Sequence, residues 1–309
     1  MFPENMVRTI LPIFSLIGLG YISRWRGLLR GGDERVLSAY IYYFGLPALI
    51  IVDLAGVVLD ADALRFVGVS LIPLAVVFGV ALPAYALLRF GRGELYLLLT
   101  TSIFGSLGFF GLPFISIAIP DQRAERLSVL AVSSINTVAF ILTVSMLETR
   151  GADSGIGALR GLPMRLARNP LILSILIGLG ISVTGFAIPE SVAEPLHMLG
   201  GSTTPVALFM LGTFLYGREY RSLSWALPFV LVRALALPAV TLFVCRWFGL
   251  PSLDTAVLVL MYSTPLAVSM MVLSERYGFY PERIASIILL SSLTAGVYMN
   301  LWLIALGWA

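Results

Sequence analysis

The chain has 309 residues, of which 59% are hydrophobic and 12% charged, and its mean hydropathy is +0.96. Its single cysteine, Cys245, and single histidine, His197, exclude a disulfide framework and a Cys/His metal cluster. Its formal charge of +3, with every basic residue an arginine, is too small to suggest a nucleic-acid partner.

The apolar residues fall in blocks of about twenty, the length that crosses a hydrocarbon core as helix, so the chain reads as an all-α polytopic membrane protein. Taken in order, ten spans are predicted at 6–23, 36–58, 64–88, 94–119, 126–147, 170–188, 196–216, 224–245, 253–274 and 284–306. The first follows a charged start, as a secretory signal would, but no small-residue cleavage site follows it. Loops after the odd-numbered spans hold fourteen arginines, among them Arg24, Arg26, Arg30, Arg35, Arg89, Arg92, Arg150, Arg160, Arg165 and Arg168. The opposite side holds five, Arg8, Arg65, Arg123, Arg126 and Arg246. The positive-inside rule then puts the arginine-rich loops in the cytoplasm and both termini outside it, in a multi-pass protein of the cell inner (plasma) membrane.

The first span returns later in the chain. Arg8-Thr-Ile-Leu-Pro-Ile-Phe-Ser-Leu-Ile-Gly-Leu-Gly20 reappears as Arg168-Asn-Pro-Leu-Ile-Leu-Ser-Ile-Leu-Ile-Gly-Leu-Gly180. Gly45-Leu-Pro-Ala-Leu-Ile matches Thr204-Pro-Val-Ala-Leu-Phe, Pro73 and Pro83 repeat the spacing of Pro228 and Pro238, and Ser133-Ser134 aligns with Ser291-Ser292. The matches keep their order, which divides the chain into a first five-helix repeat at 1–148, a cytoplasmic linker at 149–168 and a second repeat at 169–309. Five is odd, so the second copy is inverted relative to the first, an architecture of secondary transporters.

Span four carries Gly105-Ser-Leu-Gly108-Phe-Phe-Gly111-Leu-Pro113, and span nine carries Met261-Tyr-Ser-Thr264-Pro265-Leu-Ala-Val-Ser269. Proline removes a backbone donor and clashes with the carbonyl four residues earlier, while glycine eases departure from helical geometry. Both helices are therefore expected to break, span four at 108–113 and span nine at 264–265, with Pro265 taken as the counterpart of Pro113. In span nine the hydroxyls of Ser263 and Thr264 are available to bond freed carbonyls. Broken backbone at membrane depth must be buried in protein or face a watery cavity, and paired half-helix N-termini there suit an anion. The candidate substrate-binding residues are Ser106, Gly108, Gly111, Pro113, Thr264, Pro265 and Ser269.

Polar groups inside spans complete the set, because an ionisable side chain in a membrane is a functional candidate by default. Arg233, midway between Pro228 and Pro238, reads as an anion counter-charge or a partner for Asp53; Asp53 is the coupling candidate. Asn136 and Asn300 could serve the broken backbone or bridge helices, and of these Asn136 joins Arg233 among the candidate substrate-binding residues.

Gly-Leu-Pro-Ala-Leu at 45–49, Ser-x-Gly-x-x-Gly-x-Pro at 106–113, Asn169-Pro170, Thr204-Pro-Val-Ala-Leu-Phe-Met-Leu-Gly212 and Ser-Thr-Pro265 leading to Val-Leu-Ser-Glu-Arg-Tyr-Gly278 together resemble the auxin efflux carrier family. That family includes plant auxin carriers and bacterial malonate or malate transporters. The resemblance implies two inverted five-helix repeats, with helices four and nine crossing at unwound prolines. It also implies a scaffold of helices one, two, six and seven, through which a homodimer could form. The chain departs from the family in having Ser106 where an asparagine is usual, and Ser269 near the position of another amide.

The expected function is secondary transport of a small organic anion or carboxylate by alternating access, with efflux the expected direction. The alternatives are a proton- or sodium-coupled carboxylate symporter, and a membrane sensor that binds without moving its ligand. No acid, base and nucleophile cluster in one plane, so no enzyme is expected, and neither a cofactor nor a metal is implied.

Overall fold

The computed structural model describes residues 2–56, 61–88, 91–150, 164, 167–217 and 223–308. Most of the predicted linker, with Arg160 and Arg165, lies outside them, as do Arg89, Arg218 and Arg221. The described residues are mostly helical, with the helices in the order α1 (Phe2–Trp25), α2 (Glu34–Tyr40), α3 (Leu46–Ala55), α4 (Ala61–Leu88), α5 (Arg92–Ile103), α6 (Leu112–Ala118), α7 (Gln122–Arg150), α8 (Pro170–Thr184), α9 (Glu190–Leu215), α10 (Leu223–Leu231), α11 (Leu237–Trp247), α12 (Ser252–Tyr262), α13 (Ser269–Tyr277) and α14 (Pro281–Ala305). Among the described residues, six continuous or nearly continuous stretches are long and apolar enough to cross a membrane, beginning with Glu34–Ala55 and ending with Pro281–Ala305. Large apolar side chains such as Leu11, Leu176, Val183 and Phe243 stand exposed on the outer faces, which fits a protein whose surroundings are lipid rather than water.

Three wide turns, Ile41–Gly45, Leu107–Gly111 and Val232–Ala236, join α2 to α3, lead into α6 and join α10 to α11. Each is closed by an amide bonding five residues back: Leu46 to Ile41, Leu112 to Leu107 and Leu237 to Val232. In every case the next residue is proline, Pro47, Pro113 or Pro238. A proline ring cannot pack against the carbonyl four residues earlier, and widening the preceding turn relieves that clash while keeping the flanking bonds. After Pro238 the stranded carbonyl is Ala234, and the Trp302 indole N–H donates to it at 2.7 Å.

The helices sort into two groups. In one, α1 packs along α9, and α3 packs along both α8 and α9. The α1–α9 contact is so close that a methyl at Gly20 would strike the Phe209 carbonyl, and one at Gly212 would strike that of Ile17. The other group joins α4 to α7, α10 to α14 and α11 to α12. Its centre is α12, where residues 256–261 have no exposed surface on any side, as expected of a helix apolar all round.

Candidate functional site

Both predicted breaks are present. The first falls upstream of its predicted position: α5 ends at Ile103, and Phe104 and Ser106 have non-helical dihedrals (ψ 80° and 55°). The run 108–113 is instead the wide turn and the start of α6. Proline acts on the turn before it, and that turn absorbs the distortion of Pro113, so the chain unwinds only ahead of Leu107. The second break, Ser263–Val268 between α12 and α13, contains Pro265 itself.

The two unwound segments pair with each other. Gly105 lies opposite Leu266 in a short antiparallel bridge. The Ser106 amide donates to the Pro265 carbonyl at 2.8 Å, and the Ala267 amide donates to the Phe104 carbonyl at 3.0 Å. Backbone groups that lipid could not satisfy are thus satisfied within the protein. Gly105 and Leu266 are 161 residues apart. Pro265 lies within the second break, whereas Pro113 opens α6 beyond the first.

Arg233 holds this junction from one side. It is 1% exposed, and its Nε donates to the Thr264 carbonyl at 2.8 Å. One terminal nitrogen donates to the Ser102 and Thr101 carbonyls at 2.7 and 3.2 Å, and the other to Thr264 Oγ1 at 3.3 Å. Thr101 and Ser102 belong to the last turn of α5, whose final carbonyls have no intrahelical partner, and Thr264 follows the end of α12. One guanidinium therefore caps the negative ends of two helices. The expected pairing with Asp53 is not made, nor does Arg233 line the cavity described next; a charge this deep is retained here by carbonyls. A methyl on Gly105 would collide with the guanidinium, which is why glycine stands there.

On the other side of the junction lies a cavity of about 170 Å³. Its polar lining comes from Asp53 on α3, Ser106 in the first break, Ser133 and Asn136 on α7, and Ser269 at the start of α13, with Gly105 and Gly108 beside them. Four of the sequence-predicted residues, Ser106, Gly108, Asn136 and Ser269, are brought together here with Asp53. Thr264 and Pro265 are instead enclosed in the second break, and Gly111 backs onto Met261 and Thr264. Asn300 bonds the Gly296 carbonyl of its own helix. The amides at the start of the Leu107 turn precede the first helical bonds, which run from Phe110 and Gly111 to the Ser106 carbonyl, and so form a positive helix end beside the cavity.

Two features flank the cavity that sequence reasoning did not single out. Towards Val129 it adjoins a wider cavity of about 770 Å³ lined by Asp62, Arg123, Glu125, Arg126 and Asp254, where Arg123 and Asp254 form an ion pair at 3.1 Å. Elsewhere a polar network ties the two helix groups together. Asn169, 4% exposed, caps α8 by accepting from the Leu171 amide at 3.0 Å, and its Nδ2 donates to the Tyr42 and Tyr277 hydroxyls at 2.9 and 3.0 Å. Tyr277 in turn donates to Glu148 Oε1 at 2.8 Å, and the Arg276 guanidinium lies over the Tyr42 and Tyr43 rings. Asn169-Pro170 was legible as a helix start; that its amide would also gather two tyrosines was not.

Apolar helices interrupted at a paired, protein-satisfied junction beside a polar cavity define a membrane transport protein. Residues 5–303 match the family model described as "Membrane transport protein", and the chain belongs to that family, the auxin efflux carrier family. It is 25% identical over 293 residues to the "Putative malonate transporter" of Rhizobium meliloti (strain 1021), covering 92% of this chain and 90% of that one. It is 22% identical over 316 residues to an "Uncharacterized transporter" of Methanocaldococcus jannaschii, covering 100% and 99% of the two chains.

Proposed function

We propose that this multi-pass membrane transporter is a secondary carrier of a small carboxylate, working by alternating access in the inner membrane. The observation that carries the reading is the junction of the two breaks. Arg233 neutralises the C-terminal ends of α5 and α12, so the positive ends of the following segments dominate the field at the cavity. Hydroxyl and amide groups of Ser106, Asn136 and Ser269 line that cavity and supply donors for an anion. The relative named for malonate supports the same substrate class.

Ten spans in two inverted repeats, 1–148 and 169–309, are supported by the 161-residue offset of the paired breaks. The contacts α1–α9 and α3–α8 support them too, since inversion exchanges spans one and seven for spans six and two. On this topology the Asn169–Tyr42–Tyr277–Glu148 network closes the cytoplasmic side, and the Arg123–Asp254 cavity is the outer vestibule. Alternating access then requires the network to open as the Arg123–Asp254 side closes.

Asp53 in the cavity wall supports a second reading, proton-coupled carboxylate symport. Proteoliposomes loaded with malonate separate the two. A carrier without coupling shows malonate counterflow indifferent to an imposed pH gradient, whereas symport is driven by it and loses that drive in Asp53→Asn. Absence of any carboxylate flux overturns both.

A further inference from the structure

The internal repeat aligns Ser133 of α7 with Ser291 of α14, and the two hydroxyls end differently. The Leu266 amide donates to Ser291 Oγ at 3.2 Å, so in the second half the serine satisfies the backbone of the break. Ser133 is also buried, 6% exposed, yet its Oγ has no hydrogen-bond partner, and it lines the cavity beside Gly105 and Ser106. A buried polar atom left unpaired costs about 1–3 kcal/mol, and such atoms in native structures call for a specific explanation. Its neighbour Ser134 has none to explain, because that hydroxyl donates to the Leu130 carbonyl at 2.7 Å.

We propose that Ser133 is a substrate-contact residue whose hydroxyl donates to a carboxylate oxygen of the transported anion. The oxygen would sit between Ser133 and the open amides at the start of the Leu107–Ala118 segment, reached by Ser106 from the break and Asn136 from the next turn of α7. This rests on the carboxylate reading above. It adds that the two halves have diverged in use: one serine holds the backbone, and its counterpart has been freed to hold the ligand. A hydroxyl donor on α7 also links the anion to a continuous helix outside the unwound segments. Ligand identity is then read partly by a rigid element, and an anion lacking an oxygen at that point loses a bond with nothing to replace it.

The test is calorimetric titration of malonate into the full chain in lipid nanodiscs, with thermal unfolding of each variant measured without ligand. Ser133→Ala is expected to weaken malonate binding about tenfold, the size of one hydrogen bond to a charged group, with no loss of Tm. Ser133→Thr, which keeps the hydroxyl, is expected to stay within about threefold of wild type, and Ser134→Ala to change neither quantity. Wild-type affinity in Ser133→Ala overturns the proposal while leaving the carboxylate reading intact. A fall in its Tm equal to that of Ser291→Ala also overturns it, since the hydroxyl would then be serving the fold. If wild-type protein binds neither malonate nor any other carboxylate of a mono- and dicarboxylate panel, both readings fail.

Discussion

Phe104–Ser106 and Ser263–Val268 each give one amide and one carbonyl to the junction, yet their surroundings differ. In the second break every local hydroxyl works on the backbone. Ser263 and Thr264 donate to the Leu260 and Met261 carbonyls, both at 2.8 Å, and Ser291 accepts from Leu266; Ser263 and Thr264 have no exposed surface. In the first break small residues leave room, Ser106 and Gly108 border the cavity, and Ser133 is unpaired. The second segment is thus tied down by its own hydroxyls, while the first borders a cavity, as the proposed division into anchor and binding wall requires. A fully satisfied polar network is rigid, whereas groups left unsatisfied inside a protein await a partner.

The largest expected effect comes from Arg233, which serves both breaks. Arg233→Ala strands the carbonyls of Thr101, Ser102 and Thr264, and should lower the unfolding free energy by roughly 3 kcal/mol or more; Arg233→Lys should fall between, having fewer directed donors. Thermal unfolding in detergent measures this. An alanine variant as stable as wild type that no longer binds malonate would instead make Arg233 a ligand group and erase the distinction between anchor and wall.

Gly105→Ala pushes a methyl into the guanidinium and Thr264, and overpacking of this kind costs about 1–3 kcal/mol. The same change at Gly108, where an added methyl would meet only Val132 at an ordinary 3.6 Å, should cost far less stability while narrowing the cavity. Comparing their Tm values and malonate affinities checks whether the wall tolerates what the junction does not. Equal losses of Tm would refute that.

Ser291→Ala removes the acceptor of a buried amide and should cost about 1–2 kcal/mol, where Ser133→Ala costs nothing. If the two variants unfold at one temperature, the halves are not specialised as described.

A smaller loss of stability is expected at Tyr277. Tyr277→Phe loses its bonds with Asn169, Tyr42 and Glu148 at a partly exposed end of the molecule, about 1 kcal/mol. Its readout is access: a cysteine placed at Ser38 should react faster with a thiol reagent applied from the arginine-rich side. Unchanged reactivity would show that the network does not hold the two helix groups together.

The sequence by itself determined the all-helical membrane class and the existence of two breaks, and it named Ser106, Gly108, Asn136, Ser269 and Asp53 one by one, because apolar block length, proline chemistry and intramembrane polarity are local properties; that these residues line one cavity was decided by the fold. It misjudged where the first break falls, since a proline's distortion can be absorbed by the turn before it, and the flanking packing decides whether that turn widens or unwinds. The task of Arg233 belonged wholly to tertiary structure. Its partners lie 31 to 132 residues away, and an arginine inside a span is equally compatible with an anion, a carboxylate or a helix end until the fold brings one of them within reach. The different surroundings of Ser133 and Ser291 were decided the same way: the fold brings the Leu266 amide within reach of Ser291 and leaves the Ser133 hydroxyl without a partner.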